Sequence, residues 1–181
     1  MVFFSFTAAM LPLGAVEYII PYIENTPVID GRISENEWQG AAGFAGLYHR
    51  DSEMFLSFRR SRWAVAYDRQ NLYVMMQTEM PPDGKLTAKV RKKDGSVFSD
   101  DTIELWIADS EKAGERSYYS FLVNPLGTVS DTRFSASGGI ADPRWNAAWK
   151  HASTRDKESG SWIFELAIPL KSLKFDGDTA G

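Results

Sequence analysis

The chain has no cysteine, only two histidines and no basic excess, with 20 Lys and Arg against 24 Asp and Glu for a net charge of −4. The missing cysteines exclude thiol nucleophiles, disulfides and cysteine-ligated metal centres together. No G-x-S-x-G elbow and no H-E-x-x-H pair is present, and His49 and His151 alone could serve as imidazole bases. Acids such as Asp101, Glu104 and Glu165 are available, but nothing in the sequence pairs them across a cleft as glycoside hydrolysis needs. The expectation is a protein without catalytic activity of its own. A net negative chain without clustered Lys and Arg also argues against a nucleic-acid partner.

What is present is ordinary in polarity and rich in rings. A hydrophobic fraction of 44% and a charged fraction of 24% fit a soluble globular domain. A chain of 181 residues suits one domain, which at this size buries roughly 70% of the surface of its unfolded state and needs no metal or disulfide to hold a core. Aromatics make up 13% of the residues and include 6 Trp. Such flat side chains build β-sandwich cores and also make platforms for sugar rings. Residues 1–16 carry no charge and read as a signal peptide or apolar leader, too short for a membrane span of about 20 residues. Export to the cell surface, periplasm or medium follows from that reading.

Beyond the leader the chain reads as strands. Pro27 to Gly31 is a short strand running into an Asp-Gly turn. Ser34 to Glu37 has the spacing of a capping box and predicts one short helix from Glu35 to about Ala42. Trp63 to Tyr67 and Leu72 to Thr78 alternate around an Asp68 to Asn71 turn and predict a hairpin. Further strands are expected at Thr102 to Ala108, Tyr118 to Val123, Thr128 to Phe134, Trp145 to Thr154 and Ser161 to Ile168, the last ended by Pro169. The fold class expected is all-β, an antiparallel, jelly-roll-like β-sandwich with that one helix near its N-terminus. The segment Ser99 to Asp109 is the most informative of these. Ile103, Leu105 and Ile107 take one face, while Thr102, Glu104 and Trp106 take the other, which is either a solvated wall or the floor of a site.

Five segments, in order, resemble the signature blocks of the family 9 carbohydrate-binding module (CBM9). They are P-V-I-D-G-R-I-S-E-N-E-W from Pro27, A-Y-D-R-Q-N-L-Y-V from Ala66, D-D-T-I-E-L-W-I from Asp100, Y-Y-S-F-L-V-N-P-L-G from Tyr118 and W-I-F-E-L-A-I-P-L-K-S-L from Trp162. The resemblance covers about residues 22–181 and implies a β-sandwich of the DOMON-like superfamily, binding a glucan- or xylan-type polysaccharide or oligosaccharide. It further implies a companion glycoside hydrolase or an exported surface protein as parent, possible structural calcium, and a further strand beyond Gly181.

Carried over residue by residue, the family's stacking aromatic falls at Phe98 and its acceptor carboxylate at Glu104. The family's Gln and Arg on the following strand fall at Ser120 and Leu122, and Leu122 cannot donate a hydrogen bond. A pyranose offers an apolar C–H face to a ring and a rim of hydroxyls to a carboxylate, so that pairing is chemically apt. Trp145 and Trp149, beside the Ser135 to Asp142 loop, and Asn124, at a position the family keeps, complete the carbohydrate-binding candidates. Asn124 has turn stabilisation and Glu104 an ordinary strand position as their bland alternatives. Asp100 and Asp101, with Asp109 and Glu111 nearby, are the candidate oxygen ligands for calcium. Two rival functions remain open at this level: a structural β-sandwich whose sugar site is lost, and a DOMON-type haem module using Met75, Met76 or Met80 with His49 or His151. Haem is not expected, because adjacent methionines in a strand send at least one side chain into the core.

Overall fold

The computed structural model describes residues 18–46, 48–49, 52–56, 59–108, 117–135, 139–142 and 144–173. The leader, Asp109 and Glu111 lie outside these residues, as do the side chain of His49 and the chain end after Leu173.

The described chain is all-β, and its strands are β1 (Ala42–Ala45), β2 (Tyr48–His49), β3 (Ser52–Leu56), β4 (Ser61–Tyr67), β5 (Asn71–Glu79), β6 (Ile103–Ala108), β7 (Tyr118–Val123), β8 (Val129–Phe134), β9 (Ala141–Asp142), β10 (Lys150–Asp156) and β11 (Ser161–Pro169). They form a five-stranded sheet in the order β1-β4-β5-β11-β10, a four-stranded meander β6-β7-β8-β9 and the small β2-β3 ribbon. Every pair of neighbours in the two large sheets is antiparallel.

Alternation along the strands sends half of each into the space between the two sheets. Val65, Val74, Met76, Trp162, Phe164, Leu166 and Ile168 come from the five-stranded sheet, and Ile103, Tyr119, Phe121, Val123 and Val129 from the meander. The β4-β5 hairpin is closed by Asp68, whose carboxylate accepts the N–H groups of Gln70 and Asn71 and the Tyr73 hydroxyl. That arrangement is the Asx chemistry expected of an Asp at a tight turn.

The capping box forms without a helix behind it. Glu37 reaches back to the N–H of Ser34 at 2.9 Å as a capping glutamate should, and also accepts from Val28 at 2.8 Å. Asn36 at φ 61° and Gly40 at φ 87° take the left-handed region, which stops helical propagation, so residues 35–40 are a chain of turns. The expected helix is therefore absent. Pro27 to Gly31 makes no strand pairing, and the expected strand from Trp145 begins only at Lys150, because Ala148 adopts φ 49°.

These turns matter because they lie on the outer face of the five-stranded sheet. Strand β11 is buried on both faces from Ser161 to Ile168. Its even-numbered residues fill the sandwich, while Ala167 joins Ala66, Tyr73 and Ile23 in a second cluster capped by Ile29 and Trp38. Between them stands Glu165, with no solvent exposure. One oxygen accepts the backbone N–H of Gly31 at 2.8 Å and of Asp30 at 3.2 Å, and the other accepts the Trp38 indole N–H at 3.1 Å. A buried glutamate thus fastens the N-terminal segment to the centre of the sheet.

Gly31 lies directly against Thr154 and Ala152 of β10. Its φ is +82°, and a Cβ placed on it would lie 2.3 Å from Thr154 Oγ1 and 3.1 Å from Thr154 Cβ. Left-handed strain of about 1–2 kcal/mol and this clash add in the same direction. Gly31→Ala is expected to lower stability by about 2–4 kcal/mol in a urea titration, with Thr154→Ala recovering part of the loss. Full tolerance of the alanine would show that the segment does not pack as described.

Candidate functional site

Strand pairing fixes the outer face of the meander without ambiguity. Glu104 lies opposite Leu122, Trp106 opposite Ser120 and Ala108 opposite Tyr118, and on the next strand Ser130, Thr132 and Phe134 continue the three rows. All of these positions alternate with the core residues Ile103, Tyr119, Phe121, Val123 and Val129 and so point away from the sandwich. This second face is not a solvated wall at its Glu104 end. Thr102, Glu104, Ser120 and Leu122 are all buried, with Glu104 only 5% exposed.

At the other end of the face the rings of Trp106 and Phe134 pack with centroids 5.0 Å apart and planes tilted by 32°. The Trp106 indole N–H is buried and has no hydrogen-bond partner among the described residues. Tyr118, in the same row as Phe134, is 37% exposed. Aromatic surface, hydroxyls and one carboxylate therefore share one sheet face.

The three buried carboxylates among the described residues differ in how they are satisfied. Glu165 accepts three N–H groups. Burial, the largest influence, still raises its pKa above the ordinary carboxylate range, opposed by the Gly31, Trp38 and Asp30 donors and aided by the neighbouring Glu37 charge. Asp131 accepts the Ala147 N–H at 2.9 Å and has the Lys93 ammonium at 3.8 Å. Glu104 has a single neutral donor, the Ser120 hydroxyl at 3.1 Å, and no Lys or Arg pairs with it among the described residues. A carboxylate can take about four hydrogen bonds, so Glu104 retains acceptor capacity that the fold does not use.

Phe98 stands on a single 3-10 turn, Val97–Ser99, just ahead of β6, and is 70% exposed. A large ring left in water beside a strand that carries a buried carboxylate is a ready stacking surface. The turn is held from below by Asn124, which is fully buried. Its amide N–H groups donate to the Val90 carbonyl at 2.8 Å and to Asp100 at 2.9 Å, and its oxygen accepts the N–H groups of Leu126 and Thr128 at 3.0 and 2.9 Å.

No protein-family model matches the chain, and no curated protein does. Solved structures do. A family 9 carbohydrate-binding module from Caldicellulosiruptor kristjanssonii in complex with cellotriose superposes with a TM-score of 0.51 at 15% identity, over 83% of this chain and 65% of that one. The two share a CBM9-like fold. A second CBM9 structure from the same organism, in complex with glucose, gives 0.53 at 13% identity over 87% of this chain and 72% of that one. A proposed carbohydrate-binding protein from Bacteroides uniformis gives 0.58 at 12% identity over 85% and 73%. The chain spans a little under two thirds of the first of these structures. At these identities the likeness is one of fold.

Within the CBM9-like fold the sequence-predicted site residues separate. Glu104 and Phe98 remain candidates, one as a buried acceptor and one as an exposed ring. Trp145 and Trp149 do not join them: Trp145 packs on Tyr119 and Phe121 with centroids 5.1 and 5.8 Å away, and Trp149 packs on Phe121 at 5.2 Å. Both belong to the sandwich core, because the chain between β9 and β10 turns inward there. Asn124 spends both ends of its amide on the turn and is structural.

Of the calcium candidates, Asp100 is committed to other donors, Asp101 is only partly so, and Asp109 and Glu111 lie outside the described residues. Asp100 accepts the N–H groups of Lys89 and Val90 and the Asn124 amide, while Asp101 accepts the Thr87 N–H at 2.6 Å. Burial alone would raise the Asp100 pKa, but these donors outweigh it and hold the carboxyl below its ordinary range. Donors on both Asp100 oxygens leave that side chain little for a cation that wants about six to eight oxygen ligands, whereas Asp101 has a donor on one oxygen only, and no cluster of three metal-binding side chains occurs among the described residues. Met75 and Met76 are both buried, on opposite faces of β5.

The meeting of Trp106 and Phe134 on this face was not legible in the sequence. The signal available was parity: Trp106, Ser120 and Phe134 fall on the face opposite to the core residues of their strands, and only the register shows that they meet.

Proposed function

We propose that the domain binds a saccharide on the outer face of the meander without transforming it. One observation carries the reading: among the described residues Glu104 is a buried carboxylate with one neutral donor, on the same face as the Trp106 and Phe134 rings and a Trp106 N–H that has no partner among them. Sugar hydroxyls would donate to Glu104, the indole N–H would donate to a sugar oxygen, and a pyranose face would lie on Phe98 or the Trp106 edge. The CBM9-like fold, seen elsewhere with cellotriose and with glucose bound, supports a glucan oligosaccharide as the ligand class, with a xylan oligosaccharide as the alternative to be tested beside it. A role beside a glycoside hydrolase or on an exported protein accords with that ligand. No helix among the described residues is long and apolar enough to cross a membrane.

Isothermal titration with glucose, cellobiose, cello-oligosaccharides and xylo-oligosaccharides tests the proposal. Glu104→Ala is expected to weaken binding about tenfold or more, equivalent to at least about 1.4 kcal/mol, and Trp106→Ala or Phe98→Ala several-fold. Circular dichroism confirms that each variant is folded. Wild-type affinity in Glu104→Ala moves the site elsewhere, and absence of binding to every saccharide leaves a structural β-sandwich.

A further inference from the structure

We infer that this face selects a saccharide carrying a protonated amine, an amino sugar, over its neutral counterpart. The inference rests on the proposed site and concerns which ligand it takes. Strand register leaves Glu104 as the one residue of formal charge among the outward-facing positions of β6, β7 and β8, surrounded by hydroxyls, rings and Leu122. The residue is 5% exposed, and among the described residues the Ser120 hydroxyl is the one donor to its carboxylate, whereas Glu165 has three N–H donors and Asp131 has a backbone N–H and an ammonium nearby.

Two consequences follow. The desolvation of the Glu104 carboxylate has already taken place on folding, so a ligand ammonium brings only its own desolvation to the complex and gains a charge-assisted hydrogen bond, roughly twice as strong as a neutral one. A neutral sugar hydroxyl gains the weaker bond. The Trp106 and Phe134 rings add a second preference of the same sign, because an aromatic face attracts a cation by about 0.5–2 kcal/mol. The Trp106 N–H, without a partner among the described residues, needs an acceptor, which an ammonium cannot supply. The ligand must therefore present an ammonium and a neighbouring oxygen together, as a 2-amino-2-deoxy sugar does on adjacent carbons. A simple alkylamine does not meet both demands.

The test is a set of titrations of the whole chain with glucosamine and its β-1,4-linked dimer, the N-acetylated dimer, cellobiose and ethylamine, at about pH 6 and again at about pH 9, where such an amine is largely neutral. At the lower pH the deacetylated dimer is expected to bind about tenfold more tightly than cellobiose or the acetylated dimer. The advantage should shrink with added salt and disappear at the higher pH. Glu104→Gln should erase the difference between the dimers, with a melting curve showing that it folds. Ser130→Lys, which places a cation on the same face one strand beyond Leu122 from a half-exposed position, should erase it with Glu104 in place. Equal affinity for the deacetylated dimer and cellobiose, a preference that survives in Glu104→Gln, or ethylamine binding as well as glucosamine each overturns the inference and leaves saccharide binding standing. Failure of every saccharide to bind overturns both readings.

Discussion

Glu165→Ala is expected to remove about 3–5 kcal/mol of stability, seen as a drop of about 10 °C in the melting temperature. The truncation leaves three buried donors without acceptors: the N–H groups of Asp30 and Gly31 and the Trp38 indole. It also opens a cavity on the outer face of β11, against which Ile29, Trp38 and Ala41 pack. Each orphaned donor costs about 1–3 kcal/mol and the losses overlap, because the segment can lift away once its anchor is gone. Hydrogen exchange then reports which region opens: amides of residues 21–38 should lose protection before those of the meander.

Glu165→Gln separates the charge from the shape. Because the folded pKa of Glu165 stands above its unfolded value, its contribution is full below the ordinary carboxylate range and is lost as pH rises through the folded pKa. The stability difference between the wild type and Glu165→Gln should therefore favour the wild type most in acid and narrow as pH rises. Asp68, Asp100, Asp142 and Asp156, all with lowered pKa values, have the opposite dependence and cancel in that difference. A difference that is flat with pH would contradict the burial of Glu165.

The strands were legible because burial has a period. Tyr118 to Val123 occupies the span that its alternation indicates, and β5, β6, β8 and β11 depart by one or two residues. The strand β11, apolar at nearly every position, gave no clue that one of its faces would be covered by the N-terminal segment and the other by the meander. Nothing local distinguishes the two faces of a strand buried on both sides. The capping box at Ser34 forms without a helix behind it because capping chemistry is local, whereas the left-handed Asn36 that ends propagation has no signature in a pattern of apolar residues.

The site was legible only in part for a related reason. Glu104 stands out by its alternation with Ile103 and Leu105. The same rule cannot tell an unsatisfied carboxylate from a saturated one: Glu165 also sits in a β-strand between apolar neighbours and proves to be an anchor. Donor count distinguishes them, and donors come from residues as far apart in sequence as Gly31 and Glu165. Trp145 and Trp149 were drawn to the site by their nearness to a loop, yet a ring is placed by the cavity it fills, and the gap between the sheets took both.

Asn124→Asp is expected to destabilise the fold by about 2–3 kcal/mol near neutral pH, although it exchanges one amide nitrogen for oxygen and leaves the shape unchanged. In the native side chain the nitrogen faces two acceptors, the Val90 carbonyl and Asp100, while the oxygen faces two donors, the Leu126 and Thr128 N–H groups. An aspartate keeps the second pair and turns the first into two oxygen-to-oxygen contacts, one of them between like charges. Asn124→Ala loses all four bonds but creates no repulsion, so at neutral pH the isosteric variant should be no more stable than the truncated one. In acid the order should reverse, because the introduced carboxyl, once protonated, regains an O–H donor for Val90 or Asp100. Denaturant titrations at two pH values decide this, and an Asn124→Asp more stable than Asn124→Ala at neutral pH would mean that the amide is oriented the other way. The pair of substitutions also separates scaffold from site: Glu104→Ala should lose ligand and keep its melting temperature to within a few degrees, since it strips a single hydroxyl of its acceptor, whereas Asn124→Asp loses stability through the turn that carries Phe98 toward the start of β6.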